Sequence, residues 1–223
     1  MKSKMTFTAS GDALITRKIP EKYEGKQQII DFLAQGDIRI TNLETTITDF
    51  DCFPSSFSGG TWLTAKENLL EDLKKFGFNT YGVANNHMLD YSFQGLAETL
   101  QKLSAHQMEF TGAGKNLEDA ARPVVWRKEQ GVSAFLALTS TFDDSARAGV
   151  QGPYLPARPG INPLRHQEIY FVSAEQMKCL REIAESSGVN VKNKRRLKTG
   201  YKLSSDQGVF EFKDMKFELT PNC

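Results

Sequence analysis

The sequence is poor in the residues that most often carry chemistry. It has three histidines, His87, His106 and His166, and three cysteines, Cys52, Cys179 and Cys223. The cysteine count is odd, the spacing is wide and no Cys-x-x-Cys occurs, which argues against a disulfide framework or a zinc knuckle and fits a reducing compartment. Charge of one sign is also missing: 28 basic residues face 27 acidic ones, so no net field draws the chain to nucleic acid or an anionic membrane. The one basic run, Lys192, Lys194, Arg195, Arg196 and Lys198, reads as a solvated loop or helix end. No apolar run is long enough to span a bilayer, and Met1 to Thr6 lacks the apolar core of a secretory leader. The expectation is a cytoplasmic protein with no transmembrane segment. Internal repeats and low-complexity tracts are absent.

What is present is an alternation of strands and helices. Thr6–Ser10 reads as a strand ending in Gly11-Asp12. Gln27–Ala34 reads as a helix with Ile29, Ile30 and Leu33 on one face. Ile38–Leu43 alternates as a strand and runs into Glu44. After a loop over Asp49–Thr61 comes the best-marked helix. Thr64 and Glu67 predict a capping box, Leu69, Leu70, Leu73 and Phe76 form a stripe, and Gly77 closes it. Thr80–Ala84 is a strand ending in Asn85-Asn86-His87, and a helix carrying Leu96, Leu100 and Leu103 follows. Met108–Thr111 is a strand, Asn116–Ala121 a short helix, and Val124–Arg127 with Val132–Leu138 a hairpin. This order predicts an α/β fold with a mainly parallel sheet. Residues 139–165 form a long Pro/Gly-rich loop, Ser173–Ser187 a helix, and Val209–Phe212 and Phe217–Leu219 two late strands. The whole is expected to be one domain over 1–223.

Three polar clusters stand at three successive strand ends: Asp12, then Asn42 and Glu44, then Asn85, Asn86 and His87. In an open parallel sheet the carboxyl ends of the strands share one edge, where ligands bind, so these residues should converge. Carboxylates and an amide oxygen suit Mg²⁺ or Mn²⁺, and an imidazole admits Zn²⁺ or Fe. His87 is alternatively a general acid toward a leaving group. Each residue also has a plain reading: Asp12 as a helix cap, Asn85 and Asn86 as turn residues, His87 as a hydrogen-bonded structural side chain. Gly112 and Gly114, at the start of a short helix, are candidates for cradling an anion. Arg147, in the long loop, is a candidate clamp for phosphate or carboxylate.

Taken together, Gly11-Asp12, Asn42-Leu43-Glu44-Thr45, Ala84-Asn85-Asn86-His87 with Asp90, and Gly112-Ala113-Gly114 with Asn116 resemble the capsule-synthesis CapA family. That family is similar to the calcineurin-like metallophosphoesterases. The resemblance implies an α/β/β/α sandwich, incomplete at its C-terminus, and a role connected with poly-γ-glutamate or another capsule polymer. It implies divalent metal held by Asp12, Glu44 and Asn86, with His87 facing the scissile group and Asn42 and Asn85 shaping the loops around them. The expected substrate is a phosphoester or a capsule-type polymer, the expected chemistry a metal-dependent hydrolysis. A non-catalytic role in binding or assembling that polymer is the alternative. Such enzymes complete their site with histidines from a second half, and no His-rich strand end follows residue 170. This implies a missing C-terminal half or a naturally shortened relative, and the strand edges an incomplete sheet leaves open invite a homo-oligomer.

Overall fold

Two strands with alternating burial begin the architecture. In the computed structural model, which describes residues 4–58, 60–191, 195, 208–212 and 215–221, β1 (Phe7–Ala13) lies parallel to β2 (Ile38–Leu43), joined by α1 (Lys26–Leu33). The chain continues through β3 (Thr46–Ile47), β4 (Thr64–Ala65), α2 (Asn68–Lys75), β5 (Thr80–Gly82), α3 (Ser92–Ala105) and β6 (Phe110–Thr111). β1, β2, β5 and β6 form one four-stranded sheet in the order 1-2-5-6, and every neighbouring pair is parallel. The α/β class expected from the alternation is the one observed. Three further elements follow in sequence: β7 (Ala113–Gly114), α4 (Leu117–Ala120) and the antiparallel hairpin β8 (Val124–Lys128) with β9 (Gly131–Phe135).

Strand alternation decides what covers each face. Tyr81, Val83 and Leu43 point to one side and are buried with Leu69, Leu70 and Leu73 of α2 and Leu96 and Leu103 of α3. Burying each such aliphatic side chain is worth about 1.5–3 kcal/mol. Thr80 and Gly82 point to the other side. There Trp126 Nε1 donates to Thr80 Oγ1 at 2.9 Å, and a Cβ on Gly82 would lie 3.4 Å from Ala137 Cβ. Helices therefore cover one face and the hairpin segment the other. Among the described residues, this hairpin is the β layer that lies on the sheet.

The long loop is ordered by its own backbone bonds. It holds a 3-10 turn at Asp144–Ala146 and the short strand β10 (Gly160–Ile161), which pairs antiparallel with β7. Gly149 and Arg158 bridge its two legs.

The chain, expected to be a single domain over 1–223, forms two compact units, 1–165 and 166–223. In the second unit, β11 (Ile169–Val172) pairs parallel with β13 (Met215–Leu219), and β12 (Val209–Phe212) pairs antiparallel with β13. Its helix α5 (Ala174–Ser187) opens with a Ser173–Gln176 capping box and closes at Gly188, φ 67°. Met177 and Ala184 of this helix are buried while Ile183 is exposed. Of the basic run, Lys192, Lys194, Arg196 and Lys198 lie outside the described residues, as does Cys223. Among the described residues, no helix is long and apolar enough to cross a membrane.

One local expectation is overturned. Thr64 does not cap α2, because it belongs to β4 and its hydroxyl pairs with Thr48 Oγ1 at 2.8 Å inside the fold. The N-cap is Glu67, with no side-chain cap bond. Strand pairing with β3 takes precedence over the local cap because it satisfies buried backbone groups.

The segment after β1 is tied to α2 by Asp72, whose Oδ2 accepts from Ile19 N at 3.0 Å while Oδ1 pairs with Lys75 Nζ at 3.0 Å. Burial pushes this carboxyl up, but the Ile19 N–H and the charges of Lys75 and Lys18 outweigh it, so its pKa lies below the ordinary 3.8. A depressed folded pKa stabilises above the unfolded value and loses that stabilisation as pH falls through the folded one. Asp72→Asn should therefore cost about 1.5–3 kcal/mol at neutral pH, with the difference from wild type shrinking below the unfolded pKa, as read by urea unfolding across pH.

Candidate metal-binding site at the strand ends

An irregularity in β1 sets the geometry. Phe7, Thr8 and Ala9 pair with Ile38, Arg39 and Ile40, after which Asp12 pairs with Asn42, so Ser10 and Gly11 stand opposite Thr41 alone. Two residues facing one is a bulge, which reverses the parity of the strand beyond it. Thr41 holds the bulge. Its hydroxyl donates to Gly11 O at 3.0 Å and accepts from Ser10 Oγ at 2.9 Å. Asp12 thus lies within β1 rather than after it, on the same face as Asn42.

From this register a chain of hydrogen bonds crosses three strands. Asn42 Nδ2 donates to Asp12 Oδ1 at 2.8 Å. Asn85 Nδ2 donates to Asn42 Oδ1 at 3.0 Å and to Leu43 O at 2.9 Å. Asn85 Oδ1 accepts from His87 N at 3.2 Å. Buried His87 points Nδ1 at Asp90 Oδ2, 2.8 Å away, and Asp90 is fully buried. The carboxylate partner assigns the proton to Nδ1. The backbone of Asp90 also accepts from Ser55 N at 2.8 Å, and its Oδ2 accepts from Leu63 N at 2.7 Å. The 49–61 loop is therefore anchored at the residue that orients the imidazole. Asn86, half-buried, lies between Asn85 and His87 in the chain.

Glu44 completes the cluster. Burial pushes its carboxyl above the ordinary range, and a hydrogen bond with Asp12 and the charges of Asp12 and Asp90 push it further, while His87 acts in the opposite direction. Its Oε2 is buried without a hydrogen-bond partner. A buried, unsatisfied carboxylate oxygen is costly, and two adjacent carboxyls resist joint ionisation. A divalent cation answers both, so the Asp12 and Glu44 carboxyls fit such an ion.

The other sequence candidates go elsewhere. A Cβ on Gly112, φ 113°, would lie 2.7 Å from Ala84, and one on Gly114 would lie 2.5 Å from Asp119 Cβ. Close packing requires both glycines, and the Gly112 N–H is spent on Ala120 O. Arg147 pairs with Asp144 at 3.3 Å. His106 caps α3, its ring held between Glu67 at 2.8 Å and Glu71 at 2.9 Å. A cavity of about 1100 Å³ runs along α3 and the 107–124 segment, past Leu100, Phe110 and Arg122, and contains none of the strand-end residues.

One donor cluster leaves no pattern in the sequence because Glu98 lies 46 positions from Cys52 and its neighbour Asp51. Ligand atoms of Asp51, Cys52 and Glu98 lie within 4.8 Å of one another, a spacing that could hold a metal ion. Burial, Glu98 and Asp51 push the Cys52 thiol up to about 12. The thiol donates to Glu98 Oε1 at 3.0 Å, and Lys102 lies 3.7 Å from Glu98 Oε2.

Residues 6–192 match the family described as Bacterial capsule synthesis protein PGA_cap. The uncharacterized protein y4sH of Sinorhizobium fredii (strain NBRC 101917 / NGR234) is 30% identical over 185 residues, 81% of this chain and 40% of that protein. The capsule biosynthesis protein CapA of Bacillus anthracis is 28% identical over 159 residues, 67% of this chain and 38% of its own length. The PGA biosynthesis protein CapA of Bacillus subtilis (strain 168) is 28% identical over 159 residues, 68% and 42% respectively. The chain thus spans about 40% of the length of the curated relatives it matches.

Asn85 carries the hydrogen-bond chain, so its truncation tests it. Asn85→Ala strands Leu43 O and the His87 N–H and should cost about 1–3 kcal/mol, with an unchanged denaturant slope in equilibrium unfolding.

Proposed function

Since the chain belongs to the PGA_cap family of bacterial capsule synthesis proteins, we propose that its strand-end cluster is one wall of a divalent-metal site for phosphoester-type hydrolysis serving capsule polymer synthesis. The observation that carries this reading is the orphaned, buried Glu44 Oε2 beside Asp12, next to an Asp90-oriented histidine. Asp12, Glu44 and Asn86 are the residues that would hold the ion, which could be Mn²⁺, Mg²⁺, Zn²⁺ or Fe. When bound, it would supply Lewis-acid polarisation of a phosphoryl oxygen and a more acidic water.

The remaining roles belong to the chain itself. Asn42 spans Asp12 and Asn85 and keeps the acid in position. Asp90 holds the Nδ1 proton of His87, which leaves Nε2 to exchange a proton with a leaving group. Buried on both sides, the imidazole cannot swing out of this orientation without breaking the Asp90 bond.

Metal content after equilibration with Mn²⁺ or Zn²⁺, and hydrolysis of a generic phosphodiester, test the assignment. Glu44→Gln and Asn86→Ala should each lower metal affinity by about 10–100-fold. His87→Ala should keep the metal and lower hydrolysis by about 10²–10⁴-fold. Equal metal uptake by all three variants and wild type would remove the ligand assignment. Retention of capsule polymer with no turnover by metal-loaded wild type would assign the chain a binding or assembly role instead.

A further inference from the structure

Apart from the strand-end cluster, three basic side chains line one concavity. A cavity of about 240 Å³ is lined by Thr16, Arg17, Lys18, Phe50, Lys66 and Asn68, over an apolar floor of Ala65 and Leu69. Among the described residues, Arg17, Lys18 and Lys66 form no ion pair; the nearest acid to influence Lys18 is Asp72, already paired with Lys75. Like charges that share a concavity raise each other's energy, and an anion placed between them reverses the sign of that term.

The fold holds the three in place. Asp72 accepts from Ile19 N, which pins the 16–19 segment against α2. Lys66 and Asn68 flank the start of α2, an eight-residue helix whose N-cap provides no side-chain cap bond.

Phe50 supplies a second, independent observation. It sits at φ 65°, an outlying conformation for a bulky residue. The strain is held by its N–H, which donates to Thr48 Oγ1 at 3.2 Å, and by the buried Thr48–Thr64 hydroxyl pair. The outcome is a ring 54% exposed at the cavity edge, with Lys66 Nζ 5.9 Å from its centroid.

We propose that this concavity, with Phe50 at its edge, binds an anionic group, carboxylate or phosphate. Arg17, Lys18 and Lys66 provide charge-assisted hydrogen bonds to the anion. Arg17 and Lys18 lie in the run-out of the strand that carries Asp12, and Phe50 lies six positions beyond Glu44. The anion comes either from a free inorganic ion or from the repeating acids of an anionic polymer. The second source rests on the capsule-polymer reading above.

Titration calorimetry on the whole chain at low ionic strength tests this, with inorganic phosphate and a γ-linked glutamate oligomer as probes. Wild type should bind at least one of them. Arg17→Ala and Lys66→Ala, both exposed and compatible with folding, should each weaken binding about ten-fold. Lys178→Ala, an exposed cation on α5, should leave it within about two-fold. Binding of phosphate alone supports a free-ion source, and tighter binding of the oligomer supports the polymer. Absence of binding by both probes, or equal weakening by Lys178→Ala, overturns the pocket. Glu44→Gln should leave anion binding intact, so failure of the metal site and failure of the pocket give different results.

Discussion

The bulge at Ser10 and Gly11 is the constraint on which the strand-end cluster depends. Side chains alternate along a strand, so a shift of one residue sends every later side chain to the opposite face. Without the extra residue opposite Thr41, Asp12 would share a face with Leu43 and Tyr81, in the apolar layer under α2 and α3. With it, Ala13 joins that core and Asp12 meets Asn42. The bulge is held by one buried hydroxyl, Thr41 Oγ1, which bonds to both Ser10 and Gly11. A local two-residue irregularity therefore decides whether a carboxylate is available at the edge of the sheet.

From that point the polar groups are arranged in series. Asn42 uses both ends of its amide, one toward Asp12 and one toward Asn85, and Asn85 uses both of its own. Buried polar groups are tolerable only when paired, and this chain of amides pairs each in turn until it reaches Glu44. There the pairing stops, with one carboxylate oxygen unsatisfied. At the other end, Asp90 Oδ2 takes both the His87 ring and the Leu63 N–H. A hydrogen-bonded frame thus stands around one unsatisfied carboxylate oxygen, which is what supports the proposed cation site.

Much of the fold was legible in the sequence. Ile38–Leu43 was readable as a strand because its alternation is period two, and α3 because Leu96, Leu100 and Leu103 recur at helical spacing. The convergence of three clusters could be inferred because parallel strands end on one edge. Thr64 misled because a Ser/Thr-x-x-Glu pattern does not reveal that its threonine pairs in a strand. His106 could be read as a helix-end residue, yet its clamp between Glu67 and Glu71 joins positions more than thirty residues apart. The Asp51, Cys52 and Glu98 cluster and the Phe50 pocket were invisible for the same reason, since each is assembled from separate segments.

The sequence by itself determined the α/β order, the helices with their apolar faces, and which residue types stand at the strand ends, because periodicity and composition act locally. Only the tertiary structure decided that Asp12 faces Asn42 and that Asp90 turns His87. The same holds for the burial of Glu44 beside a second acid and for the convergence of Arg17, Lys18 and Lys66. Those outcomes depend on register and burial, which are set by contacts between segments distant in the chain, and no local pattern encodes them.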